Sequence, residues 1–340
     1  MGIRALVVDD SPTMQRFISA VLSADKEIEI VGCAANANEA RASIKALDPD
    51  VITLDIEMPG MSGLDFLKKI MALRPMPVVV VSSHAKAGAT AAVEALSTGA
   101  FCCLPKPKLD DEAALTEMRE MTKQAARCSE LIKSRARRSP AAPQATPQTQ
   151  SEANMPDLIV VGSSTGGVDA LTELFSGFPA NCPPTVVTQH MPAEFTKSLA
   201  ASLDKKCEPN VVEAVNDTVL KSGTIYIAPG AIGHCTINGF ADLVVKVRPG
   251  EPISGHMPSV DALFRSVASI ENRKIAAALL TGMGSDGAAG LLELKQNGAH
   301  TIAQDEATSL VYGMPRAAVE LGAADKVLPI SRISNAIFGG

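Results

Sequence analysis

Runs of consecutive apolar residues recur along the chain and alternate with segments whose apolar positions repeat with a helical period. The runs Ala5–Val8, Ile28–Gly32, Val51–Leu54, Val78–Val81 and Phe101–Leu104, interrupted only by Glu29 and Thr53, are mostly apolar throughout, as expected of strands buried on both faces. Between them the pattern predicts helices over Met14–Ala24, Ala37–Leu47, Gly63–Ala72 and Ala87–Ser97, with a last one from Glu112 to about Lys133. Such alternation predicts a five-stranded, doubly wound, flavodoxin-like parallel sheet over residues 1–124, with any site at the carboxyl ends of its strands.

The pattern then breaks. From Lys133 to Pro156, "KSRARRSPAAPQATPQTQSEANMP" holds almost no large apolar residue and cannot bury enough surface to offset the entropy of ordering it. A flexible linker is expected over 125–154. Arg135, Arg137 and Arg138 either form a docking patch or end a solvated helix. Alternation resumes over 155–340, with strands expected at Leu158–Val161, Thr185–Gln189, Val211–Ala214, Thr224–Ala228, Ile275–Thr281 and His300–Ala303. "HCTINGFADLVVKV" reads as an antiparallel hairpin inserted in a mostly parallel sheet.

Composition narrows the class. The chain is 46% hydrophobic and 20% charged, lacks Trp, and carries a net charge of −6, which argues against a general nucleic-acid binder. Its seven cysteines form no C-x-x-C pair, so reduced thiols in a cytoplasmic protein are expected. A strand at the very start leaves no room for a signal peptide, and no apolar run approaches the roughly 18 residues of a membrane span.

In the first half, "VVDDSP" places Asp9 and Asp10 after the first strand, "LDIEMPGMSG" places Asp55 and Glu57 after the third, and Ser82 and Lys106 follow the fourth and fifth. Acidic strand ends are common as solvated turns, but the parallel order brings all of these to one edge. Clustered carboxylates repel unless a divalent cation neutralises them, and all-oxygen ligands suit Mg2+. Lys106 adds a positive point charge for a phosphoryl group, Ser82 a hydroxyl donor, and Asp55 a central nucleophile. "DD", "LDIEMPGMSG", "VVSS" and "LPKP", in this order, resemble the receiver domain of two-component response regulators. The resemblance implies phosphorylation of Asp55 by a histidine kinase. It also implies Mg2+ held by Asp10, Asp55 and the Glu57 backbone carbonyl, with Asp9 in support.

In the second half, "LIVVGSSTGGVDAL" reads as strand, tight turn and helix. No lysine follows as a phosphate loop needs, whereas Ser164 sits centrally in a G-x-S-x-G pattern where a nucleophile elbow would stand. A helix cap of small residues is the simpler alternative. Of the histidines, His190 in "QHMPAEFT" falls just past the neighbouring strand. His256 in "GHMPSVD" could reach the site, but nothing in its setting fixes it there, so His190 is favoured as base. Asp286 in "LTGMGSDGAAG" is the one acid of a glycine-rich turn at the same edge, suited to orient a histidine, or to cap a helix. N–H groups in that turn could form an oxyanion hole.

"GSSTGG", "QHMPAEFT", "IYIAPG", "HMPSVD", "LTGMGSDGAAG" and "IAQDEATSLVYGMPRAA", behind a receiver, resemble the chemotaxis protein-glutamate methylesterase family over the whole chain except the linker. Ser163 and Ser285 stand where many members carry Ala and Asn. The resemblance implies a Ser164–His190–Asp286 triad, with the Met283 backbone and the Thr165 hydroxyl as supporting donors. It implies phosphorylation-activated hydrolysis of glutamate γ-methyl esters on chemoreceptors, releasing methanol, and deamidation of receptor glutamines. The expected partners are methyl-accepting chemotaxis receptors and a chemotaxis histidine kinase, with no nucleic acid and no membrane insertion. Mg2+ is expected in the receiver and no cofactor for the ester chemistry. A binding module with a vestigial triad, and a serine hydrolase of another substrate, are the rival readings.

Overall fold

The computed structural model describes residues 2–82, 86–137, 155–239 and 242–339. The chain divides into two compact units, Met1–Ala142 and Pro143–Gly340.

In the first unit the order is β1 (Ile3–Val8), α1 (Pro12–Ser23), β2 (Ile28–Ala34), α2 (Ala37–Leu47), β3 (Val51–Leu54), α3 (Gly63–Leu73), β4 (Val78–Ser82), α4 (Lys86–Ser97), β5 (Cys102–Pro105), α5 (Glu112–Arg127) and α6 (Ser129–Arg137). The sheet runs β2-β1-β3-β4-β5, parallel throughout. Every residue of β3 and β4 is buried, as the unbroken apolar runs require. Ser11, Asn36 and Ser62 cap α1, α2 and α3 through their side-chain oxygens, so each helix starts directly after a strand-end loop. One expected helix is two, because the chain breaks at Cys128 before α6. The span expected as linker is therefore helical as far as Arg137. Residues 138–154, including the rest of the linker reading, lie outside the described residues.

The second unit follows as β6 (Leu158–Ser163), α7 (Gly167–Phe175), β7 (Thr185–Gln189), α8 (Ala193–Asp204), β8 (Asn210–Glu213), β9 (Thr218–Val219), β10 (Thr224–Ile227), β11 (His234–Asn238), β12 (Val244–Arg248), α9 (Val260–Ala268), β13 (Ile275–Leu279), α10 (Ala288–Gln296), β14 (His300–Gln304), α11 (Met314–Glu320), β15 (Lys326–Leu328) and α12 (Ile330–Gly339). Seven strands in the order β15-β14-β13-β6-β7-β10-β8 form one sheet, all parallel.

The hairpin β11–β12 is not inserted in that sheet, as its pattern had suggested. It pairs with β9 in a separate antiparallel sheet. Cys235, Ile237 and Val245 point into the core with Leu263, Phe264 and Val267 of α9, while Asn238 and Arg248 are exposed. One-sided burial of this kind suits a sheet laid over a helix rather than a strand covered on both faces.

The chain winds from β6 to β7, β10 and β8 on one side and to β13, β14 and β15 on the other. The reversal between β13 and β6 is the crevice where open α/β sheets bind ligands.

Candidate active site and phosphoacceptor site

At the carboxyl edge of the first sheet, carboxylate oxygens of Asp9, Asp10 and Asp55 lie within 4.8 Å of one another. Asp9 and Asp55 are buried and Asp10 is exposed. Lys106 Nζ stands 2.7 Å from Asp55 Oδ2 and 3.0 Å from Asp9 Oδ2. Burial works against its ammonium charge, but the bonds to Asp55 and Asp9 outweigh this and raise its pKa. Three carboxylates still face one ammonium, so the all-oxygen cluster keeps an excess of negative charge that fits a divalent cation.

The Glu57 N–H donates to Asp55 Oδ1 at 3.1 Å, and the Glu57 side chain is exposed. Ser82 is buried at the end of β4, and its carbonyl accepts the Lys106 N–H at 2.9 Å. α3 begins so close to Asp55 that a Cβ at Gly63 would run into the Asp55 carbonyl. That position takes glycine for want of space.

In the second sheet the expected residues leave three adjacent strands, β13, β6 and β7. Ser164 follows β6. Its N–H donates to the Thr281 carbonyl at 3.0 Å, and its own carbonyl accepts from Gly167 N at 2.8 Å and from Gln189 Nε2 at 2.9 Å. Gln189 also donates to the His190 carbonyl at 3.0 Å and accepts from Ser163 Oγ at 2.6 Å. This buried amide ties the serine turn to the residue that carries the histidine.

His190 Nε2 lies 2.8 Å from Asp286 Oδ2. A carboxylate can only accept, so Nε2 carries the proton and Nδ1 keeps its lone pair. Nδ1 is buried without a hydrogen-bond partner among the described residues.

Asp286 is 1% exposed. Oδ1 accepts from Ser259 Oγ at 2.8 Å and Asp261 N at 3.1 Å, and Oδ2 accepts from Val260 N at 2.7 Å. It thus caps the N-terminus of α9, not the helix that follows it, where the helix dipole favours negative charge. Burial opposes ionisation, yet the bond from His190 and those from the Asp261 and Val260 backbone prevail and hold its pKa below the usual range.

His256, the alternative base, stacks on His190 with ring centroids 3.8 Å apart and planes at 12°. Burial, with His190 beside it, pushes its pKa down to about 4, so the ring is neutral near pH 7. Thr165 is held through its carbonyl, which accepts from Thr281 Oγ1 at 2.9 Å. Met283 sits in the turn between Gly282 and Gly284. A Cβ at Gly282 would stand 2.7 Å from that of Ser164, so glycine there lets the two turns approach.

Residue reading missed Gln189, Ser259 and the stacking role of His256. The one signal available was a glutamine at the end of a strand, Thr185–Gln189, predicted to be buried.

The family description "CheB methylesterase" matches residues 159–337, and "response regulator receiver domain" matches residues 5–127. A protein-glutamate methylesterase/protein-glutamine glutaminase of Agrobacterium fabrum is 52% identical over 337 residues, 98% of this chain and 95% of its own length. A Caulobacter vibrioides protein of the same name, numbered 1, is 49% identical over 340 residues, 99% of this chain and 97% of its own. Among solved structures, the methylesterase catalytic domain of Thermotoga maritima CheB matches with a TM-score of 0.52 and 38% identity, covering 54% of this chain and 98% of that one.

Proposed function

This chain belongs to the CheB methylesterase family and carries a response-regulator receiver, and on that premise we propose how it works. It is a protein-glutamate methylesterase and protein-glutamine glutaminase, serving phosphorylation-regulated adaptation in chemotaxis. Ser164, His190 and Asp286 act as its triad. The observation that carries this is the His190–Asp286 bond of 2.8 Å, made by groups that follow β7 and β13, the two strands flanking the β6 strand that leads to Ser164. The same bond leaves Nδ1 as the basic atom of the ring.

His190 Nδ1 takes the hydroxyl proton of Ser164 as Oγ attacks the carbonyl carbon of a receptor glutamate γ-methyl ester. The negative charge that builds on the carbonyl oxygen is met by the Met283 backbone N–H and the Thr165 hydroxyl. The carbon–methoxy bond then breaks, and methanol leaves with the proton from His190. Water repeats the sequence on the acyl-serine: His190 takes its proton, and a free glutamate and Ser164 are restored. A glutamine side chain passes through the same oxyanion and releases ammonia. Asp286 holds the ring in its Nε2–H tautomer and stabilises the imidazolium. No step calls for a cofactor.

In the receiver, Asp10, Asp55 and the Glu57 carbonyl would hold Mg2+, which supplies charge neutralisation for an incoming phosphoryl group, with Asp9 in support. Asp55 accepts that group from a chemotaxis histidine kinase, Lys106 and Ser82 contact it, and the esterase is activated. The substrates are methyl-accepting receptors, met at their cytoplasmic part. No helix among the described residues is long and apolar enough to cross a membrane.

The test is methanol release from methylated receptor membranes by the wild-type protein and Ser164→Ala, with and without a small phosphodonor and Mg2+. Release that requires Ser164 and rises with the phosphodonor supports both halves of the reading. No release by the folded wild-type protein under either condition overturns the triad.

A further inference from the structure

His234 opens β11, outside the triad, and is 7% exposed. Its two ring nitrogens grip opposite ends of one loop. The Ser259 N–H donates to Nδ1 at 3.2 Å, and Nε2 lies 2.9 Å from the Glu251 carbonyl. A backbone N–H can only donate and a carbonyl can only accept, so the ring is neutral with its proton on Nε2. Between the clamped ends the chain makes a tight reversal. Ile253 and His256 exchange both backbone hydrogen bonds, at 3.1 and 2.9 Å, and Ser254 and Gly255 have positive φ. The loop therefore delivers His256 onto the His190 ring and ends at Ser259, whose hydroxyl donates to Asp286 Oδ1.

We infer that His234 is a positioning residue for the esterase, which acts through Ser259 to hold Asp286 and, by closing the loop, keeps His256 against His190. This deepens the triad reading and rests on it. A continuous line of hydrogen bonds runs from Glu251 O through His234, Ser259 and Asp286 to His190. Asp286 already accepts four bonds. Three of them, from Ser259 Oγ, Val260 N and Asp261 N, come from the segment that begins at the residue bonded to His234 Nδ1. The Ser259 end is fully buried, whereas Glu251 is exposed. Water can replace the donor lost at Glu251 but not the acceptor lost at Ser259.

Asparagine and glutamine separate the two ends. Asn carries an oxygen near the place of Nδ1 and keeps the acceptor for Ser259. Gln carries an amide nitrogen near the place of Nε2 and keeps the donor for Glu251. In the full chain, His234→Asn should retain a kcat close to wild type. His234→Gln should lose about ten-fold in kcat, at unchanged KM for methylated receptor membranes. The second readout needs no turnover: the downfield proton NMR signal of His190 Nε2–H in its bond to Asp286 should persist in the Asn variant and weaken in the Gln variant. A Gln variant with wild-type kcat and signal, or Asn and Gln variants impaired alike, would overturn the inference. Absence of methanol release by the wild-type protein would count against the triad, while the NMR signal would still decide the role of His234.

Discussion

At the scale of single residues, the site depends on which nitrogen of each histidine is committed. His190 spends Nε2 on Asp286 and leaves Nδ1, the atom that the proposed mechanism uses as the base, without a partner among the described residues. Replacing Ser164 by Ala should therefore lower kcat by about 10^4-fold or more, with the fold intact, as methanol assays and a thermal melt would read together. His256 makes a different, pH-linked contribution. Its pKa falls from 6.5 when unfolded to about 4 in the folded chain. Between those values the unfolded state binds more protons, so stability drops as pH falls through the window and is fully recovered above 6.5. His256→Phe keeps a planar ring for the stack and removes the titration. Urea midpoints compared at about pH 7 and about pH 5 should shift less for this variant than for wild type; equal shifts would place the titration elsewhere. Ser164 and His190 stood out as candidates in the sequence because each directly follows a strand, and Asp286 because it is the one acid of the glycine-rich turn beyond β13. The stack of His256 did not, since it is set by a loop returning from a distant hairpin.

At the scale of elements, the Ser164 turn is a junction between strands. Gln189 closes β7 and, through one amide, holds Ser163, Ser164 and His190 together. Gln189→Leu fills the same space but leaves the Ser163 hydroxyl and the His190 carbonyl without their partner, while the Ser164 carbonyl keeps the bond from Gly167 N. It should cost about 1–3 kcal/mol of stability per buried group left unpaired, measured by denaturant unfolding, and lower kcat besides. Gly282→Ala acts from the opposite side. Its methyl would press on both Ser164 and Met314, so kcat should fall while the receiver still accepts phosphate, as phosphodonor labelling would show.

The long strands were readable because complete burial writes an apolar run. The two-residue β9 and the three-residue β15 are too short to carry a pattern. β15 also alternates exposure at a sheet edge and lacks the unbroken run of the central strands. Strand order was inferred only locally, since the pairing of β13 with β6 joins segments more than a hundred residues apart. The helix over the first residues of the expected linker left a weak pattern: α6 has few apolar residues, and Ile132 is buried.

At the scale of the molecule, each unit buries apolar residues of its own. Leu6, Ile52, Val80 and Phe66 belong to one cluster, and Leu158, Val160, Phe264 and Leu291 to another. Separate cores permit separate unfolding transitions, and a ligand that binds one folded unit raises only that unit's stability. The carboxylate cluster lies wholly in the first unit. Added Mg2+ should therefore raise one calorimetric transition and leave the other in place. Asp55→Asn removes a carboxylate from the cluster and should diminish that shift. The same variant separates chemistry from control. It leaves Ser164, His190 and Asp286 untouched, so methanol release without a phosphodonor should equal that of the wild type, while the stimulation by phosphodonor and Mg2+ should vanish. Stimulation that survives in Asp55→Asn would mean the phosphodonor acts at another group. A fall in unstimulated release would mean that Asp55 supports the esterase in some way other than by accepting phosphate.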